Sequence, residues 1–245
     1  MDMLAKKRED NPFETKQGAD EWITMVESEK GTNRDKEIYP YLKAWISEIR
    51  PRFVADIGAG QGVCSEHLGT VDVNYIGIEP STFLVERAKQ LYSRANIHFV
   101  IGDAYKLPLS AESMDACFSV TTWFHLADIE TASKELARVL KPRGHFLIIT
   151  ANPNAYDIWE SFFTNVKRSE GMFIGVNKIL LNPGDKPENY KYAQVTNNTF
   201  YTHSLNDIVE SLKRFNLEIE SIEEFGILPI TQGRPIFTKI IGQKM

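Results

Sequence analysis

Residues 53–62 read FVADIGAGQG, and residues 73–81 read VNYIGIEPS. Phe53–Ile57 is a short apolar run interrupted only by Asp56, and it ends in a glycine-rich turn. That is the pattern of a strand buried on both faces that hands over to a helix. The helix runs from about Val63 to Leu68, where Gly69 stops it. Val73–Ile78 gives a second strand. Ser81 then caps a helix that places Leu84, Ala88, Leu91 and Tyr92 on one face. Strands follow at Asn96–Val100, Asp115–Val120 and His145–Ala151. Between the last two, Ile129, Ala132, Leu136, Val139 and Leu140 recur at helical spacing until Lys141-Pro142-Arg143-Gly144 ends the helix. Strand and helix alternate at the distances of βαβ units, and right-handed crossovers turn that alternation into a doubly wound parallel sheet.

Outward from this core the rhythm changes. After Ala151 it breaks for about fifty residues, too long for an ordinary loop, so an insertion is expected there. It resumes at Ser204, where S-L-N-D resembles a capping box and Leu205, Ile208, Val209, Leu212 and Phe215 form an apolar stripe. Leu217–Ile222 and Ile236–Ile241 read as closing strands. Residues 11–50 look helical, with a turn near Gly31 and Asn33 and Pro40 opening the helix YLKAWISEI. The expected organisation is therefore a helical cover over 1–50, a core over 51–151, a cap over 152–203 and the end of the core over 204–245.

Composition narrows the classes. The chain has 245 residues, 42% hydrophobic and 25% charged, which is ordinary for a globular protein and excludes fibrous and disordered readings. A formal charge of -5 gives no general attraction to nucleic acid or anionic membranes. The longest clear apolar stretch, Phe146–Ile149, is far short of the roughly 20 residues that span a bilayer. The charged N-terminus and the presence of only Cys64 and Cys117 place the protein in a reducing cytoplasm, with both thiols free and buried. No metal site is called for.

In a doubly wound sheet ligands bind beyond the carboxyl ends of the strands. Those ends carry Asp56-Ile57-Gly58-Ala59-Gly60-Gln61-Gly62, Glu79-Pro80-Ser81, Gly102-Asp103-Ala104 and Thr121-Thr122-Trp123-Phe124-His125. Glycines let a ligand press against backbone N–H groups at a helix start, although a tight strand-to-helix turn needs glycine for purely structural reasons as well. Glu79, 21 residues after Gly58, stands where a carboxylate accepts both hydroxyl protons of a ribose; it could equally be a carboxylate favoured by a helix dipole. Both a nicotinamide and an adenosyl ligand fit so far. The spacing G-x-G-x-G differs from the dinucleotide pattern G-x-G-x-x-G, and Asp56 before the loop would repel a pyrophosphate but attract an ammonium or sulfonium.

At these residues the sequence resembles class I S-adenosylmethionine-dependent methyltransferases, in particular the small-molecule group related to quinone-biosynthesis enzymes (methyltransferase type 11). VADIGAGQG, GIEPS, GDAYKLPL, MDACFSVTTWFHLAD and ELARVLKPRGHFLI follow one another in the family's order from about residue 52 to 150. The resemblance implies a Rossmann-like seven-stranded α/β sheet, mostly parallel with the last strand antiparallel, and S-adenosyl-L-methionine as cofactor. It implies that Asp56 and the loop of Gly58, Ala59, Gly60 and Gly62 hold the methionine part, with Asp56 near the ammonium. Glu79, with Pro80 and Ser81, would bind the ribose. Asp103 and the Ala104 N–H would meet the adenine, and Ser119 or Val120 would offer a backbone carbonyl. The chain departs from the family at Ala59, often Cys or Ser, and at Phe124, where the family often has the first histidine of an HH pair.

The acceptor is expected to be a small apolar or aromatic molecule, methylated at O, N or C. Nine of the chain's 27 aromatic residues fall in 152–203, among them Tyr156, Trp159, Phe162, Phe163, Phe173, Tyr190, Tyr192, Phe200 and Tyr201. They could line an acceptor pocket or form the insertion's own small core. Asn182-Pro183-Gly184-Asp185 signals a turn in a hairpin between about Phe173 and Tyr201, and Trp22 and Tyr39 could close the opposite side. Should the acceptor have to lose a proton, His125 and His203 are the candidate bases, Tyr201 ranking behind them. Two other readings stay open: a cofactor-binding, catalytically silent subunit, whose acceptor pocket would be filled, and a nicotinamide-dependent oxidoreductase.

Overall fold

A computed structural model of the chain describes residues 11–28, 34–68, 72–177, 196–227 and 231–245. The expected turns at Gly31–Asn33 and Asn182–Asp185, the stop at Gly69, and Tyr190 and Tyr192 lie outside the described residues. The core is a seven-stranded sheet in the order β3-β2-β1-β4-β5-β10-β9. Its strands are β1 (Phe53–Ile57), β2 (Asn74–Glu79), β3 (Ile97–Ile101), β4 (Met114–Val120), β5 (Leu140–Ala151), β9 (Leu217–Ile227) and β10 (Pro235–Lys244). The first five pair in parallel, and β10 runs antiparallel to both neighbours, β5 and β9.

Period-two alternation divides the strand residues between two buried layers. Val54, Ala116, Phe118, Val120, Leu147 and Ile149 face one layer, packed with α2 (Tyr39–Ile49), α3 (Val63–Leu68) and α4 (Thr82–Tyr92). Ala55, Ile57, Cys117, Phe146 and Ile148 face the other, packed with α5 (Ile129–Val139) and α7 (Leu205–Lys213). Cys64 and Cys117 belong to opposite layers and are both free and buried. The helix caps follow the sequence: Ser81 Oγ accepts from Leu84 N, and Ser204 forms a full capping box with Asp207. One helical stripe differs from expectation. On α4 the buried residues are Leu84, Val85 and Ala88, while Leu91 is 46% exposed beyond the rim of the core.

Before the sheet stand α1 (Lys16–Ser28) and a short π-helical turn, Arg34–Ile38, leading into α2. The insertion holds α6 (Tyr156–Ser161) and a second sheet of three antiparallel strands, β6 (Phe163–Ser169), β7 (Met172–Asn177) and β8 (Asn197–Tyr201). No helix among the described residues is long and apolar enough to cross a membrane.

Candidate functional site

Strand order reverses between β1, which is followed in the sheet by β2, and β4 on its other side. At the carboxyl ends of these strands lies a cavity of about 500 Å³, within the usual range for small-molecule sites. Gly58, Gly60, Glu79, Pro80, Asp103, Ala104 and Val120 line it from the strand ends, and His125 lines it beyond β4. Asn11–Glu14 and Trp22 close it from the N-terminal segment, Thr199 and Tyr201 from β8.

The glycine loop works by shape. Gly58 has φ 80°, and a Cβ there would overlap the Thr122 side chain, so the end of β4 presses directly on the loop. At Gly60 (φ 55°) a Cβ would stand 3.3 Å from Trp22 Nε1, filling the cradle between loop and N-terminal wall. The expected presentation of loop N–H groups to a ligand is not what the structure has. Gly58 and Ala59 donate to Ile78 O, Gly60 to Glu79 Oε2 and Gly62 to Ala59 O. Ala59 and Gly62 do not line the cavity; they close the turn.

Glu79, 6% exposed, ends β2 with Oε1 accepting from Ser81 N and Oε2 from Gly60 N, both at 3.0 Å. Burial pushes its carboxyl up to about 7, against the lowering effect of those two bonds, and the Glu14 charge adds to the rise. Ser81 itself is fully buried as the helix cap. Asp103 Oδ1 accepts from Tyr105 N at 2.8 Å and Lys106 N at 2.9 Å, which fixes the turn after β3.

Asp56 is placed differently from its sequence expectation. It is 1% exposed, does not line the cavity, and points into the α3–α4 layer, where Tyr75 Oη donates to its Oδ2 at 2.6 Å and the Cys64 thiol also bonds it. Burial pushes this carboxyl to about 7; the Tyr75 bond pulls it down and the Glu79 charge raises it further. It is a charge beneath the loop only where it is ionised, above about pH 7. Ser119 is likewise buried, its Oγ donating to Ile57 O at 2.8 Å, so it ties β4 to β1 and leaves Val120 at the cavity wall.

The two histidines part company. His125 follows β4 on a 3-10 turn, Trp123–His125, and its Nδ1 lies 2.9 Å from Thr199 O. A carbonyl only accepts, so Nδ1 carries the proton and Nε2 keeps the lone pair. Burial, with the Arg34 charge adding to it, holds the imidazole down to about 4 despite the bond to Thr199. His203 does not line the cavity: its Nε2 donates to Leu126 O at 2.7 Å and its own carbonyl accepts from Tyr156 Oη, so it pins the cap to the core. Its basicity too is lowered by burial.

Most cap aromatics pack. Phe163, Phe173 and Phe200 form a core with Phe124 and Ala151, with Tyr156, Trp159 and Phe162 against it, and Phe200 stacks on Phe124 at 4.2 Å. Of the cap rings among the described residues only Tyr201 lines the cavity. Trp22 does close the other side, whereas Tyr39 stacks on His67 in the buried layer. The sequence reading missed the segment Asn11–Glu14. Its signal was present: Asn11-Pro12 opens a 3-10 turn capped by Asn11 Oδ1 accepting from Phe13 N, and that turn sets Phe13 edge-on to His125 and Trp22.

A doubly wound sheet with a reversed last strand brings together a carboxylate at the end of β2 and a glycine cradle between β1 and the N-terminal wall. Residues 55–148 match the family described as methyltransferase domain. The chain is 31% identical over 108 residues to an O-methyltransferase of Penicillium expansum, 42% of this chain and 39% of that one. It is 28% identical over 142 residues to a fatty-acid O-methyltransferase of Mycolicibacterium smegmatis, 56% of this chain and 51% of that one. The match thus spans about half or less of the length of these relatives. A methyltransferase structure from Clostridium acetobutylicum superposes with TM-score 0.65 over 91% of this chain and 97% of its own, at 13% identity, a likeness of fold.

Proposed function

We propose that the protein transfers the methyl group of S-adenosylmethionine to an oxygen of a small, largely apolar acceptor. The observation that carries this reading is one cavity lined both by the Gly60 cradle, the buried Glu79 carboxylate and Asp103 and by His125, Phe13, Trp22 and Tyr201. The residues present fit the cofactor. Gly60 has no side chain where a ligand would lie against the loop, and Glu79 is a carboxylate whose raised pKa hydroxyl donors would bring down. The cofactor supplies a methyl carbon already activated by a sulfonium. Glu79 holds the ribose hydroxyls, Asp103 and Ala104 flank the adenine, and Val120 with the Gly58–Gly60 turn walls the methionine part. Asp56 biases the field beneath the loop toward cations.

For the acceptor the chain supplies orientation, exclusion of water and a proton acceptor. Phe13, Trp22, Leu126 and Tyr201 give an apolar surround, and His125 Nε2 takes the acceptor proton while Thr199 holds the ring. The open cavity speaks against a silent subunit with a filled pocket. Oxygen is favoured over nitrogen and carbon by the O-methyltransferase relatives. The two buried thiols on opposite faces suit a reducing cytoplasm. The test is transfer of labelled methyl from the cofactor into a metabolite extract, with mass identification of the product. Absence of any labelled small molecule, with the cofactor bound, would reject the enzyme reading.

A further inference from the structure

The cap sheet carries the cavity wall outward beyond β8. Phe200 turns into the cap core, and Thr199 and Tyr201 on either side of it line the cavity. Directly opposite these two on β7 stand Ile174 and Met172, and opposite those on β6 stand Lys167 and Ser169. Residues paired across antiparallel strands share a face. Two rows therefore leave the cavity side by side: Thr199, Ile174, Lys167 and Tyr201, Met172, Ser169. Two strand spacings make each row about 10 Å long. Arg168, paired with Phe173, belongs to the opposite face, where its Nε donates to Glu160 Oε2 at 3.0 Å.

The face of a sheet turned away from its core is ordinarily polar, yet the middle of these rows is apolar. Ile174 and Met172 are half-buried, and among the described residues they belong to none of the buried clusters, the core of Phe163, Phe173 and Phe200 behind them included. They do not line the cavity; they extend the wall that Thr199 and Tyr201 begin. At the outer end Lys167 is exposed and has no ion-pair partner among the described residues. Lys106, a cation on the cavity itself, stands instead in the turn after β3, where its N–H donates to Asp103. A shelf that is apolar where it leaves the site and cationic where it ends complements a chain with an acidic terminus. We infer that the acceptor is an amphiphile whose hydroxyl lies at His125 and whose apolar chain runs out over Ile174 and Met172 to an acidic group at Lys167. This names the acceptor class of the site proposed above and rests on that reading. Lysine suits the outer position, as a compact cation on a flexible stem that follows a solvated anion.

The experiment is calorimetry on the full chain saturated with S-adenosylhomocysteine, with three phenols: para-cresol, para-octylphenol and ω-(para-hydroxyphenyl)octanoate. Wild type should bind octylphenol about 30- to 100-fold more tightly than cresol, because the shelf covers part of each added methylene, and should bind the octanoate as tightly. The double variant Ile174→Thr, Met172→Thr keeps two strand-compatible residues; it should lose about tenfold for both long ligands and stay within twofold for cresol. Lys167→Glu should weaken the octanoate alone, by about 3- to 20-fold, the loss of one exposed pair and the gain of one repulsion. Octylphenol and cresol bound alike by wild type, cresol lost with the long ligands in the double variant, or the octanoate unmoved by Lys167→Glu would each overturn the inference. Wild type that fails to bind S-adenosylhomocysteine would overturn the cofactor reading instead. If it binds S-adenosylhomocysteine and none of the phenols, the acceptor reading at His125 is wrong and the inference falls with it.

Discussion

Replacing Glu79 by Gln changes one atom of a buried group and tests the ribose site. In the free protein Oε1 and Oε2 each accept one backbone N–H at 3.0 Å, from Ser81 and Gly60. Each oxygen has a second lone pair for a ligand hydroxyl. The glutamine amide nitrogen has none, so one backbone N–H faces a donor and one ribose hydroxyl loses its acceptor. Unpaired buried donors cost about 1–3 kcal/mol, a loss of roughly 5- to 150-fold in affinity for S-adenosylhomocysteine at pH 8. Methylthioadenosine, which keeps the ribose, should lose as much. The pH dependence adds a second signature. The Glu79 pKa is raised to about 7, so the free protein holds a proton there at pH 6 and has largely released it at pH 8. Hydroxyl donors prefer the carboxylate, so affinity should rise with pH through that window. With a pKa of about 7, the gain from pH 6 to pH 8 is roughly tenfold. Isothermal titration at three pH values measures both effects. Affinity unchanged within twofold in Glu79→Gln, with the wild-type slope retained, would refute the assignment.

Three further outcomes follow from the geometry. His125→Ala should lower turnover by about 10²–10⁴-fold with cofactor affinity little changed; in wild type the imidazole, held to about 4, should place the acid limb of the rate profile near pH 4, and a loss below about fivefold with that limb intact would remove His125 as base. Tyr75→Phe deletes the 2.6 Å bond to Asp56; because the Asp56 carboxyl ionises only above about pH 7, the variant should lose about 1.5–3 kcal/mol at pH 8.5 and less at pH 5.5, read as Tm differences, with equal losses at both pH values counting against it. Phe200→Ala opens a hole between Phe124 and Phe173 worth about 3–5 kcal/mol, which should speed amide exchange across β6–β8 while adenosylhomocysteine affinity stays within twofold; unchanged exchange would contradict the cap core described here.

The core was legible because its signals are local. An apolar run such as FVADI is buried on both faces wherever it stands in a parallel sheet, Ser81 and Ser204 cap by bonding residues three positions on, and strand ends in a doubly wound fold deliver Gly60, Glu79 and Asp103 to one place. Even the last strand's reversal came with the family's motifs. What the sequence left open depended on which neighbour each side chain met across long separations. Asp56 looked like a cavity carboxylate, and Tyr75 on the adjacent strand turned it inward. His125 and His203 were both candidate bases; Thr199 O and the cavity received the first, Leu126 O the second, 77 residues away in sequence. The cap's aromatic surplus fitted pocket or core alike until Phe163, Phe173 and Phe200 were seen to close on Phe124. Phe13, remote from every motif, reached the site only because the N-terminal segment packs over the strand ends beside His125 and Trp22. Hydrophobic periodicity and capping act over a few residues, so they can be read from the chain alone; partner choice among buried polar and aromatic groups is set by packing, and only the folded structure fixes it.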